Sequence, residues 1–120
     1  MTSIPKDEPF YQISQVSKLL NITADRLRTY EEEGLIKPHR TKNSKDGKRL
    51  FTYNEIEWLE TLRELIKLGV TIPVIRIFIT GNFKFFEKGL REKDKAIVKL
   101  VTKLQANPNH EKIKNTATKK

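Results

Sequence analysis

The sequence predicts a mainly α-helical fold that carries one small β-hairpin. Two short amphipathic segments, residues 14–20 and 24–33, are separated by a polar break at Asn21. Two short extended stretches follow, on either side of the pair Asp46-Gly47, which is typical of a tight hairpin turn. A longer apolar stripe then runs through residues 54–69. The predicted order is therefore helix, turn, helix, hairpin and helix.

The first two helices are predicted from their caps. Ser14 is the expected cap of the first helix, and its apolar face is formed by Val16, Leu19 and Leu20. Thr23 is the expected cap of the second helix, Ala24–Glu33, which ends where Gly34 adopts the left-handed conformation. Two short helices joined by a tight turn form a helix-turn-helix, whose second helix enters the major groove with its N-terminal residues.

The predicted hairpin concentrates positive charge. Residues 37–49 hold six basic groups against Asp46, a net of +5, and residues 84–120 carry a further net of +7. Lysines on flexible stems suit contacts with phosphates more than contacts with bases. A basic hairpin that directly follows a helix-turn-helix is a wing. The predicted fold class is therefore a winged helix-turn-helix with a small β-hairpin wing, and double-stranded DNA becomes the favoured partner.

Two more helices are expected before residue 81. Asn54 is the expected cap of the longer one, Glu57 completes its capping box, and Trp58 is assigned to the core. Thr71 and Pro73 begin a short apolar helix that ends near residue 79.

Composition limits the chemistry that the chain can perform. Its 120 residues suit a small core, its net charge of +9 suits a polyanionic partner, and it has no cysteine. The two histidines, His39 and His110, lack metal-ligand spacing, and no phosphate loop or nucleophile motif occurs. We therefore expect no catalytic residue, no metal site and no cofactor. With no signal pattern and no long apolar run, a cytoplasmic, nucleoid-associated protein without a membrane contact is expected.

Residues 11 to about 79 resemble a known family. The stretches "YQISQVSKLLNITADRLRTYEEEGLIKPHRT" and "GKRLFTYNEIEWLETLRELIKLGVTIPVI" are similar to the DNA-binding domain of the bacterial MerR-type transcription regulators. "GLIKPHRT", "LFT" and "LGVTIPVI" are most similar to the heat-shock repressor (HspR) and glutamine-type (GlnR) subgroup. The family's usual tyrosine pair is replaced by Thr29-Tyr30, which also fits the repressor branch.

The resemblance implies a homodimer that binds a pseudo-palindromic operator, with a repressor expected in preference to an activator. It leaves RNA polymerase or a co-regulator protein open as a further partner. Arg28, Tyr30 and Arg49 match motif positions of the family, and Ser14 and Thr23 match cap positions near phosphates. The full set of expected DNA-binding residues is Ser14, Thr23, Asp25, Arg26, Arg28, Thr29, Tyr30, Arg40, Lys42, Lys45, Lys48 and Arg49. For each of these, a phosphate or plain surface role stays open beside base reading.

The expected domains are an N-terminal arm (1–10), the MerR-type winged helix-turn-helix DNA-binding domain (11–81), a C-terminal dimerisation helix (84–105) and a flexible basic tail (106–120). The dimerisation helix would present apolar residues at spacings of three or four and is too short to serve as an effector domain. Packing of this helix against its own domain is the alternative. Its expected dimer contacts are Phe86, Leu90, Ile97, Val101 and Leu104.

Other functions compete with that of a transcription regulator. An excisionase-like or architectural protein uses a similar winged fold in recombination or DNA bending, and a protein-interaction adaptor would show no salt-sensitive DNA binding. An enzyme is disfavoured because adjacent carboxylates such as those of Glu31, Glu32 and Glu33 point in different directions on a helix. These glutamates sit at the end of the second helix that faces away from the bases. We predict that Glu31 braces the wing through an ion pair with Arg40 or Arg49.

Overall fold

The computed structural model describes residues 4–40, 48–81 and 88–118, with side chains as far as Lys114. Two compact units make up the chain, Met1–Leu59 and Glu60–Lys120, and the boundary falls within a helix. The described elements are β1 (Tyr11–Gln12), α1 (Ile13–Leu20), α2 (Ala24–Glu32), β2 (His39–Arg40), β3 (Arg49–Phe51), α3 (Tyr53–Lys67), α4 (Ile72–Thr80), α5 (Glu92–Ala106) and α6 (Asn109–Thr118). The mainly α-helical winged helix-turn-helix fold is confirmed.

The helix-turn-helix of the first unit is formed by α1 and α2. Asn21 ends α1 in the left-handed conformation, with φ of 54°. Thr23 caps α2 as predicted, because its Oγ1 accepts a hydrogen bond from the Arg26 amide at 3.1 Å. Gly34, with φ of 77°, closes α2 in the conformation that glycine adopts most easily.

The expected start of α1 was wrong, whereas its expected apolar face is buried at two of three positions. The helix begins at Ile13, and the Gln12 amide donates to Gln15 Oε1 at 2.8 Å, so Ser14 lies in the first turn and is no cap. Gln12 can serve as the cap because it belongs to β1 and is extended. Val16 and Leu20 are buried, whereas Leu19 is 64% exposed, because the helix turns only one stripe inward.

The wing belongs to a three-stranded antiparallel sheet with the order β1-β3-β2. The hairpin partners β2 and β3 were predicted, and their register pairs His39 with Leu50 and Arg40 with Arg49. The additional strand, β1, pairs Tyr11 with Phe51 and ties the start of the domain to the wing. The predicted turn at Asp46-Gly47 lies outside the described residues.

Trp58 anchors the first unit's core, as expected. Its side chain is fully buried, and its Nε1–H donates to the backbone oxygen of Leu35 at 2.7 Å. Leu35 follows α2 directly, and its amide donates to the Tyr30 oxygen at 2.9 Å. This chain of contacts fixes the C-terminal end of α2 against α3.

The cap of α3 lies two residues before the predicted one. The Thr52 amide donates to Glu55 Oε1 at 2.9 Å, and the Glu55 amide donates to Thr52 Oγ1 at 3.0 Å. This reciprocal pair is a capping box, and it gives one oxygen of the buried Glu55 carboxylate a hydrogen-bond donor. Asn54 and Glu57 therefore lie inside the helix.

The second unit packs α4, α5 and α6 together. The predicted long helix begins only at Glu92, because Gly89, with φ of 85°, places a turn before it. The chain after residue 106 was predicted to be mobile, but it forms α6. That helix buries Ile113, and His110 Nε2 lies 2.9 Å from the Ile79 oxygen at the end of α4.

Candidate nucleic-acid interface

The N-terminal half of α2 exposes four of the residues predicted to contact DNA. Asp25, Arg26, Arg28 and Thr29 all face solvent, while Leu27 between them is buried. This division follows from the helical period, which turns one stripe toward the core and leaves the opposite one exposed. The exposed stripe therefore carries guanidinium, carboxylate and hydroxyl groups, which are the groups that read base edges.

Local contacts order this exposed stripe. Arg28 Nη1 lies 2.8 Å from Asp25 Oδ1, and Thr29 Oγ1 donates to the backbone oxygen of Asp25 at 3.0 Å. Arg28 thus pairs toward the start of the helix. Because the Arg28 and Asp25 side chains are both well exposed, the pair contributes little to stability and can exchange for contacts with DNA.

The wing is joined to α2 through one carboxylate. Glu31 Oε2 lies 2.9 Å from Arg40 Nη2, and Glu31 Oε1 lies 2.6 Å from Arg49 Nε. The prediction that Glu31 braces the wing is confirmed, and both arginines take part where either one was expected. Arg40 comes from β2 and Arg49 from β3, so the carboxylate holds both strands of the hairpin.

The ionisation of Glu31 reflects this position. Burial alone would raise its pKa, but the hydrogen bonds and positive charges of Arg49 and Arg40 outweigh burial, so the pKa lies below its ordinary value of 4.5. The carboxylate is therefore ionised at neutral pH and stabilises the folded wing.

These groups line an open cleft between α2 and the wing with a volume of about 620 Å³. Both elements contribute arginines to the cleft, whereas all of its carboxylates come from α2. The lining residues are Asp25, Arg28, Thr29, Glu31, Glu32, Arg40 and Arg49. The structure thus brings five of the predicted DNA-binding residues into one cleft, together with the bracing Glu31.

The remaining predicted DNA contacts divide into three groups. The exposed group comprises Ser14, Thr23, Arg26 and Lys48. Tyr30 is only 2% exposed and belongs to the core. The assignment of Tyr30 to the DNA surface was therefore wrong, because the helical stripe that holds Leu27 also turns Tyr30 inward. Lys42 and Lys45 lie outside the described residues.

Two of the five expected dimer contacts are buried within their own chain. Val101 and Leu104 are buried inside the second unit, Leu90 lies in the turn before α5, and Phe86 lies outside the described residues. Ile97 is half-buried. The packing of α5 on α4 and α6 supports the alternative, in which this helix folds back on its own chain.

Sequence reasoning gave no role to His39, which the structure places near a buried acid. His39 Nε2 on β2 lies 4.0 Å from Glu55 Oε2 at the start of α3. The two residues are far apart along the chain, so no local pattern signals their approach.

Among the described residues, no cluster of three or more acidic or histidine side chains is arranged to hold a metal ion. None of the described helices has the length and the apolar character that crossing a membrane requires.

Comparison with known proteins agrees with this geometry. The family model described as "MerR HTH family regulatory protein" matches residues 11–81, which is more than half of the chain. The chain therefore belongs to the MerR family of helix-turn-helix regulatory proteins.

The curated relatives match over the same region. The chain is 31% identical over 71 residues to the HTH-type transcriptional regulator GlnR of Bacillus anthracis, covering 59% of this chain and 53% of that protein. It is 33% identical over 69 residues to the uncharacterized regulator YyaN of Bacillus subtilis, covering 58% and 49%. It is 35% identical over 68 residues to the regulator AdhR of Bacillus subtilis, covering 57% and 47%. The chain thus spans about half the length of the curated relatives that it matches.

Proposed function

We propose that this chain binds double-stranded DNA as a transcription regulator, and that it acts as a homodimeric repressor on a pseudo-palindromic operator. The observation that carries the proposal is the shared cleft, in which the exposed face of α2 and the arginines of the wing lie side by side. The names of the relatives, which describe transcriptional regulators, support the same class.

Two kinds of contact are assigned to the two elements. The side chains of α2 that face the base edges are those of Asp25, Arg26, Arg28 and Thr29. An arginine bound to guanine contributes roughly 1 to 3 kcal/mol of discrimination between bases. The wing contacts phosphates, which supply affinity without sequence preference. Lys48 is exposed beside β3 and belongs to the phosphate set, together with Lys42 and Lys45 of the wing.

The homodimer follows from the family resemblance and from the two-fold symmetry that a palindromic site requires. Its surface is not the pair Val101 and Leu104, because these side chains are already buried in their own subunit. Repression needs only a bound dimer that covers or distorts promoter DNA. RNA polymerase or a co-regulator protein is the further partner that would convert DNA binding into regulation.

Selection of bound genomic fragments tests the proposal. The purified chain is mixed with sheared DNA from its own source, the retained fragments are sequenced, and a reporter is placed behind a selected site. Inverted repeats at promoters, with reduced reporter output, support a dimeric repressor. Direct repeats bound cooperatively support the excisionase-like or architectural alternative. Binding that is absent or insensitive to salt refutes DNA binding and favours an adaptor.

A lysine triple tests the wing. Combined alanine substitution of Lys42, Lys45 and Lys48 should weaken operator binding and flatten its salt dependence by about 0.9 in log-log slope for each phosphate that the variant no longer neutralises. The matched control replaces three exposed lysines of α5, namely Lys93, Lys99 and Lys103. Both triples remove three positive charges, so an equal weakening by both would show that net charge alone attracts the DNA and that the wing assignment is wrong.

A further inference from the structure

The wing places two like charges directly opposite each other. Arg40 on β2 and Arg49 on β3 are cross-strand partners in the antiparallel register. Directly opposed side chains lie on the same face of a sheet, and two like charges there destabilise the pair. The hairpin therefore needs a counter-charge at this position.

Glu31 supplies the counter-charge from another element. Each of its oxygens serves a different arginine, at 2.9 Å for Arg40 and 2.6 Å for Arg49. About a quarter of the Glu31 and Arg49 side chains is exposed, so water screens these contacts less than it would at an open surface. Two guanidinium groups on one carboxylate leave a net charge of +1 at the junction.

The contact of Glu31 with the two arginines also links the position of the wing to that of α2. Glu31 belongs to α2, whose opposite end carries the side chains assigned to bases, while its two partners belong to the strands assigned to phosphates. A specific complex needs both sets of contacts at once, so the wing must keep a fixed position relative to α2. A non-specific complex needs only positive charge near phosphates.

We propose that Glu31 is a positioning residue that determines how well the protein discriminates its operator from other DNA. This inference rests on the proposed DNA-binding function. Without the carboxylate, the opposed arginines repel each other and the wing loses its fixed distance from α2. Removal of Glu31 then has opposite effects on two kinds of DNA: binding to unrelated sequence rises because a negative charge is gone, and binding to the operator falls.

Glu32 provides a matched control. It is the next residue of α2, it is exposed, and Glu32→Gln removes the same charge as Glu31→Gln. Among the described residues, the Glu32 carboxylate makes no ion pair with Arg40 or Arg49. Both arginines pair with Glu31 instead. A purely electrostatic effect of the acidic triplet would make the two variants behave alike.

The test measures fluorescence anisotropy of two duplexes across a salt series. One duplex is selected by the wild-type chain from genomic fragments, and the other is a scrambled duplex of equal length. Glu32→Gln should strengthen binding to both by a similar factor. Glu31→Gln should strengthen binding to the scrambled duplex and weaken binding to the selected one, reducing discrimination roughly tenfold, the equivalent of one base contact. If Glu31→Gln keeps the discrimination of Glu32→Gln, the proposal is overturned.

Glu31→Asp separates reach from charge. It keeps the negative charge but shortens the side chain by one methylene group, so one carboxylate can no longer reach both arginines. Scrambled binding should stay at the wild-type value while discrimination falls. Wild-type discrimination in Glu31→Asp would contradict the proposal, and this variant also serves if Glu31→Gln fails to fold.

Amide hydrogen exchange of the free protein provides a measurement that needs no DNA. Exchange of the backbone amides in the β2–β3 pair should accelerate in Glu31→Gln and stay unchanged in Glu32→Gln. If selection with the wild-type chain yields no bound fragment, the proposed function fails while accelerated exchange still supports the brace. Unchanged exchange in Glu31→Gln would remove the positioning role whatever the DNA results.

Discussion

Replacement of Trp58 by phenylalanine provides a quantitative test of how α2 is anchored. The indole Nε1–H donates to the Leu35 oxygen at 2.7 Å, and both residues are fully buried. Phenylalanine cannot donate, so the carbonyl is left buried without this partner, at a cost of about 1 to 3 kcal/mol. A residual cavity of roughly 40 Å³ at ~24 cal/mol per Å³ adds about 1 kcal/mol. The free energy of unfolding should therefore fall by about 2 to 4 kcal/mol.

The assay is urea unfolding followed by far-ultraviolet circular dichroism. Fluorescence does not serve, because Trp58 is the only tryptophan of the sequence. Tyr53→Phe is the control, since Tyr53 is a partly exposed aromatic residue and its substitution should change stability by no more than about 0.5 kcal/mol. A decrease below about 1 kcal/mol for Trp58→Phe would show that the Leu35 carbonyl does not depend on the indole, and the anchoring argument would fail.

Two further predictions concern the Glu31 brace and the second unit. Because the pKa of Glu31 is lowered on folding, the brace stabilises the protein above the ordinary pKa of 4.5 and is lost as pH falls through the folded value. The difference in unfolding free energy between wild type and Glu31→Gln should thus be constant above pH 5 or so and shrink below it, and a difference that persists unchanged at pH 3 would refute this. Ile113→Ala should cost about 2 to 5 kcal/mol, because Ile113 is buried between α6 and its neighbours. Thermal unfolding measures this destabilisation against Val74→Ala, a control at a partly exposed site of α4, and equal melting temperatures would mean that α6 is not docked.

The sequence identified the parts of the DNA-binding half that depend on near neighbours. Thr23 caps α2 and Gly34 closes it, because a cap and a left-handed turn involve residues within a few positions of each other. The hairpin after the helix-turn-helix was predicted for the same reason. Family membership followed from the ordered motifs, which the match to residues 11–81 confirms.

Apart from the misplaced caps of α1 and α3 and the unexpected α6, the errors occurred where one helical face had to be distinguished from the next. Leu19 was assigned to the core and is exposed, whereas Tyr30 was assigned to DNA and is buried. The sequence supplies the helical period, but the direction of the inward stripe depends on which elements pack against it. In the same way, Val101 and Leu104 are apolar positions that suit either a second subunit or the protein's own core. In the structure α5 packs with α4 and α6, and both side chains are buried there.

The sequence by itself determined the order of the elements from α1 to α4, the caps of α2, the site of concentrated positive charge and the expectation that Glu31 pairs with the wing. Only the tertiary structure decided that one carboxylate holds two arginines, 9 and 18 residues away along the chain. The physical reason is the antiparallel register, which sets Arg40 opposite Arg49 and brings both within reach of α2. Local sequence specifies conformation over a few residues, whereas contacts between distant charges exist only after the sheet and helices have packed.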